Sequence, residues 1–181
     1  GRETRAAGNG GIAIGSEATT FNASQTHGNI AIGASTGTVA GTFGGTATAA
    51  NGGNAIAIGM AAQAFGQNAV SIGTQSLASQ TGATALGLES KAAAIAATAV
   101  GISSIGDALS SSAFGSGSRA MTDYATAIGS GSQATATAPA THVSGGNNNP
   151  TAVGSFAKAY GTGTTALGYN AQAKGASSTE I

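Results

Sequence analysis

The residues able to do chemistry are few and scattered. His27 and His142 are the only histidines in the 181-residue chain. A general base or a metal ligand needs partners at a fixed spacing, and neither histidine has them. No cysteine is present, which excludes thiolate metal centres and disulfide staples together. Asp107 and Asp123 do not make the aspartate-rich turns of calcium-binding β-roll repeats, and no Asp/Arg constellation of the polysaccharide-lyase kind occurs. Gly115-Ser-Gly-Ser-Arg-Ala120 and Gly129-Ser-Gly-Ser-Gln-Ala134 match the dinucleotide pattern G-x-G-x-x-A. Neither opens a helix in a βαβ unit, and both fall in a regular register of the chain. The expectation is a protein with no catalytic residue, no cofactor and no metal.

Composition narrows the classes further. Six Lys+Arg balance six Asp+Glu, so net charge recruits neither nucleic acid nor an anionic membrane. Charged residues make up 7% and aromatics 4%, tryptophan is absent, and glycine appears 31 times. Few large side chains are available for a conventional core, so the interior must be thin. No run approaches the roughly 20 apolar residues of a membrane helix, and no signal peptide opens the chain. Direct membrane contact is therefore not expected of this segment.

What orders these residues is a period of fourteen. With the glycine of each Ala-Ile-Gly-like tripeptide as position zero, the markers are Gly15, Gly33, Gly59, Gly73, Gly87, Gly101, Gly115, Gly129, Gly154 and Gly168. Six of the nine gaps are 14, and the others exceed it by 4, 12 and 11. Residues 1–181 thus read as eleven repeats that begin and end on repeat boundaries, as a piece of a longer array would. Low-complexity disorder does not keep such a register.

Each repeat alternates. Position −1 is aliphatic or aromatic, from Ile14 to Leu167, and position −3 passes from Ile12, Ile30, Ile56 and Val70 to Thr84, Thr98, Ser112 and later threonines. Period two with β-branched residues is strand chemistry. A second stretch carries small residues at +3 and +5, such as Ser76 and Ala78, with turn formers such as Gly66, Asn68, Gly82 and Gly161 between stretches. Fourteen residues hold two short strands and two turns but no helical crossover. The predicted fold is an all-β parallel β-roll, a solenoid without helix, whose eleven coils at roughly 4.8 Å each would make a rod of about 50 Å.

Position −2 should point away from −1 and −3. It holds Ala13, Ala31, Ala57, Ala85, Ala99, Ala113, Ala127, Ala152 and Ala166, with Ser71 the exception. A strand apolar on both faces is buried on both. The expectation is that −1 and −3 face the interior while the −2 alanines line an interface with other subunits.

The strings Asn54-Ala-Ile-Ala-Ile-Gly59 and Asn68-Ala-Val-Ser-Ile-Gly73, with Ser76 three further on, resemble the YadA-like head repeat of trimeric autotransporter adhesins. The resemblance spans nearly the whole chain at positions −3, −2, −1, 0 and +3. It implies a left-handed parallel β-roll and a homotrimer displayed on the outer membrane of a Gram-negative bacterium. It also implies a cell-surface virulence factor whose partners are host extracellular-matrix or cell-surface molecules. The more polar −3 rank after Val70 departs from the pattern, and no neck, stalk or anchor sequence is present.

The three long gaps mark insertions, within 20–29, 39–54 and 135–150. Loops on a rigid scaffold are where binding residues collect, so Phe43, His142, Asn147, Asn148 and Asn149 are the ligand-loop candidates. Glu89, Lys91, Arg119, Asp123, Lys158 and Lys174 read as solvated outer-face residues. Hexapeptide acyltransferases are set aside because 14 is not a multiple of six. The remaining alternative is an ice- or carbohydrate-surface-binding β-solenoid, which the rank Thr84, Thr98, Thr126, Thr151 and Thr165 recommends. Against it, the rank is single and is expected to face inward.

Overall fold

The fourteen-residue register becomes two stacked ladders. A computed structural model describes residues 4–7, 10–21, 28–35, 47–135 and 149–181. Its strands form two parallel sheets of eleven strands each, every strand pairing with the equivalent strand one coil away. The front sheet carries the tripeptides: Ile56–Ile58 pairs with Val70–Ile72, that with Thr84–Leu86, and so on. The back sheet holds the second stretch of each coil, as in Leu77–Ala78 beside Lys91–Ala92. No helix occurs among the described residues.

Each coil is two near-equivalent halves of seven residues. One half reads Gly87-Leu-Glu-Ser-Lys-Ala-Ala and the next Ala94-Ile-Ala-Ala-Thr-Ala-Val. The first three residues make a corner, the fourth and sixth point inward, and the fifth and seventh point outward. Both corners close the same way. The fourth residue's N–H donates to the first residue's carbonyl, at 3.3 Å for Ser90 to Gly87 and 3.2 Å for Ala97 to Ala94. The third residue is left-handed, with φ of 55° at both Glu89 and Ala96. That conformation carries a modest cost for a residue with a Cβ, and asparagine fills it readily at Asn54 and Asn68.

Four small inward residues per coil make the interior. In the coil of Gly101 these are Ala97, Ala99 and Ser104, each 0% exposed, and Gly106. Serine at the fourth position is satisfied locally: the hydroxyls of Ser90, Ser104 and Ser118 donate to the carbonyls of Gly87, Gly101 and Gly115 at 3.0, 3.0 and 2.8 Å. Thr164 does the same to Gly161 at the other corner, at 2.9 Å. Ser71, the one −2 residue that breaks the alanine rank, sits 2.7 Å from the Ser76 hydroxyl, so its buried oxygen is not orphaned.

Candidate functional site

The structure reverses the expected sidedness of the front sheet. Ala31, Ala57, Ala85, Ala99, Ala113, Ala127, Ala152 and Ala166 are 0% exposed in a single chain, and Ala13 is half-buried. They fill the inside of the roll and cannot meet another subunit. The reason is width: two strand layers joined by three-residue corners hold mostly Ala, Ser, Gly and Thr, with Asn29 and Pro150 the larger exceptions beside insertions, so small side chains face small ones. The aliphatic −1 and −3 residues are turned outward instead. Ile14, Ile72, Phe114, Ile128 and Leu167 remain between 38% and 56% exposed. They continue in register through Ile32, Ile58, Leu86, Val100 and Val153 as one apolar rank along the roll.

The exposed aliphatics of this face stack on successive rungs. Scattered exposed aliphatics are ordinary, whereas a contiguous apolar rank marks an interaction surface. The threonine rank at −3, expected inward, is also outward: Thr84 pairs with Thr98, Thr126 with Thr151, and Thr151 with Thr165, all half-buried.

All three insertions enter at corners. The first falls between Phe21 and Asn29, and the third between Thr135 and Asn149. The second lies between Ser35 and Thr48, so its bounds shift from 39–54: Thr48–Asn54 already belong to a regular coil. Pairing runs past each of them without a slip, with Ile12 on Ile30, Ile30 on Ile56, and Gln133 on Lys158. Buried Asn29 fastens the first, its Nδ2 donating to the Phe21 carbonyl at 3.2 Å and its Oδ1 accepting from Ala55 N at 2.9 Å. Thr48 fastens the second, its single hydroxyl proton lying between the carbonyls of Gly59 at 2.7 Å and Ala34 at 3.0 Å.

Of the ligand-loop candidates, Phe43, His142, Asn147 and Asn148 lie outside the described residues, as does His27. Asn149 is exposed but is a corner residue, left-handed at φ 28° in the place that Asn54 and Asn68 take elsewhere. Its residue type has a structural reason.

The charged groups do not gather into a reactive centre. Lys91 pairs with Asp107 at 3.5 Å rather than with Glu89. Asp123, expected to be solvated, is 6% exposed and its Oδ1 accepts from Leu109 N at 3.1 Å. These two aspartates border a shallow groove of about 460 Å³ over Ala93, Ala94, Ile95 and Leu109, and both are engaged. Tyr160 donates to Gln133 Oε1 at 3.0 Å, and burial pushes its phenol above the usual value. Among the described residues no three His, Cys, Asp or Glu converge as metal ligands would. Around Gly115 and Gly117 the chain turns a corner between strands, so the dinucleotide-like string opens no helix.

Comparison with known families fits the roll. The family model "YadA head domain repeat (2 copies)" matches residues 50–76, 78–104, 107–132, 123–139, 151–171 and 159–179. No curated protein sequence matches the chain. The matched segments cover more than half of the 181 residues, so the chain belongs to the YadA head repeat family, an adhesin module.

Proposed function

We propose that this chain is the head of a trimeric surface adhesin of a Gram-negative bacterium, holding itself together through the outward aliphatic face of the front sheet. The observation that carries the reading is the apolar rank from Ile14 to Leu167 on a roll whose interior is already full. Large aliphatics contribute about 1.5–3 kcal/mol each when buried, against about 0.8 kcal/mol for a single methyl-sized group. The interior here holds the small groups and the surface the large ones, so association adds the greater share of hydrophobic stabilisation. Family resemblance favours three subunits and implies host matrix or cell-surface molecules as partners.

Sedimentation of the purified head tests the assembly. A trimer is expected for the parent, and Ile128→Glu should shift it toward folded monomer, since Ile128 is 41% exposed in the single chain and the charge is costly only in an interface. A parent that sediments as a stable monomer would defeat the proposal.

The corner insertions are proposed as the ligand-selecting parts. Inward positions are held to small types by packing, whereas chain added at a corner leaves every strand pair intact. Three copies per trimer would turn modest affinity into avidity. Trimming the second and third insertions to the fourteen-residue spacing should keep the trimer and lower adhesion to matrix-coated surfaces at least tenfold. Unchanged adhesion would move binding onto the coils.

A second reading has one observation in its favour. The outward threonine rank is the sort of ladder an ice-binding solenoid uses, but it lies on the aliphatic face. The two readings compete for one surface. Thermal hysteresis from a monomeric head would select ice binding, and a trimer without hysteresis would select the adhesin.

A further inference from the structure

The chain is neutral overall, but its cations are not spread evenly. Every described lysine and arginine, namely Arg5, Lys91, Arg119, Lys158 and Lys174, lies on a strand of the back sheet. One outward rank reads Lys91, Ile105, Arg119, Gln133, Lys158, Gln172 in consecutive strands. A cation stands on every second rung, about 10 Å apart at the usual strand spacing. The front sheet holds no described cation. Just past a back-sheet strand, Asp107 shares Lys91 in a partly exposed pair at 3.5 Å, which solvent keeps weak. Among the described residues Arg119 and Lys158 form no ion pair, and Arg119 Nε is buried without any hydrogen bond.

We infer that this rank is a docking face for a linear sulfated polysaccharide lying along the roll axis. A polymer with a fixed anion on each disaccharide meets a cation at every second rung where its disaccharide advances about two strand spacings, roughly 10 Å. The amides of Gln133 and Gln172 fall beside the intervening sugar and can donate to its hydroxyls. Duplex DNA fits less well. It presents a phosphate about every 1.7 Å of axis, far denser than this rank, and the rank offers no series of aromatic platforms for unstacked bases. A membrane would need a broad apolar surface beside the cations, and between them this rank offers Ile105 alone. The face is free in the proposed assembly, because burying Arg119 and Lys158 at a subunit interface without partners would be unfavourable.

The inference goes beyond the adhesin reading and takes from it only that the front sheet is the covered one. The test is retention of the purified head on immobilised heparin at physiological ionic strength, with neutral dextran, duplex DNA and anionic phospholipid vesicles as competitors. We expect retention that falls steeply with salt and is relieved by soluble heparin alone. The triple variant Lys91→Gln, Arg119→Gln, Lys158→Gln should bind at least tenfold more weakly with an unchanged thermal melt. A second variant, Arg119→Gln with Gln133→Arg, keeps the net charge but breaks the alternation, and should lose at least threefold. No retention of the parent, equal competition by DNA or vesicles, or full retention of either variant would overturn the inference. Sedimentation of the same samples separates the two ideas: a trimer that ignores heparin refutes the docking face alone, and a monomer that binds it refutes the trimer alone.

Discussion

Replacing Ala99 by glutamate is expected to abolish the folded roll, not merely to separate its subunits. Ala99 is 0% exposed and stands between Ala85 and Ala113 on neighbouring rungs. A carboxylate there has no cation within the roll to meet, and breaking such burial rules is unfavourable by about 3–5 kcal/mol. The longer side chain adds an overpacking cost of about 1–3 kcal/mol in a space sized for a methyl group. Because each coil is held only by its neighbours, the fault also cuts the array in two. Far-UV circular dichroism should lose its β signal, whereas Ile128→Glu should keep it. A folded, dissociated Ala99→Glu protein would mean that the alanine rank faces a partner after all.

The second large effect falls on the glycine that marks the period. Gly101 has φ +130°, and a Cβ built there would lie 2.6 Å from both the carbonyl carbon and oxygen of Gly115 in the next coil. Both obstacles are backbone, fixed by the same ladder. Gly87 meets Gly101 in the same way, with its Cβ 2.5 Å from the oxygen. Gly101→Ala should therefore cost about 1–3 kcal/mol of conformational strain and a similar amount again from the clash. At about 2–4 °C per kcal/mol for a chain of this size, the melting temperature should drop on the order of 10 °C. Gly117→Ala is the control. It has φ +65° and nothing within 4 Å of the added methyl, at a corner position where Glu89 and Ser103 already sit at 55° and 52°. It should shift the melt by a quarter of that or less.

The repeat, the strands, the parallel stacking and the absence of helix were all legible because each leaves a mark at fixed spacing. The side of the sheet that faces in was not, and the failure has a physical lesson. Aliphatic size is a sign of interior only in a domain with a thick core. The better signal was the position four before the glycine: Ala55, Ala69, Ala83, Ala97 and Ala125 share the parity of the −2 alanines and are equally buried. The cations at Lys91, Arg119 and Lys158 must point out, which sends +3 and +5 inward. Four small residues per coil then face one another, and no room remains for isoleucine. The second insertion was misplaced for a related reason, since Thr48 does the work of a corner serine and was not recognised as one. Asp123 reads as a solvated charge in sequence because no spacing reveals that a carboxylate will accept from a backbone amide one coil away.

The stacking has a mechanical consequence. In both sheets the backbone hydrogen bonds run from coil to coil, as from Gly87 N to Leu86's counterpart Ile72 O at 2.8 Å and from Leu77 N to Ser90 O at 2.9 Å. They therefore point along the axis of the array. A head anchored at one end and pulled at the other would carry the load through each coil junction in series, with only the few bonds of one junction resisting at a time. A single roll should peel from an end in steps of one coil under tension. Lateral adhesion between rolls would bridge many junctions at once and convert stepwise peeling into a shear that all of them resist together.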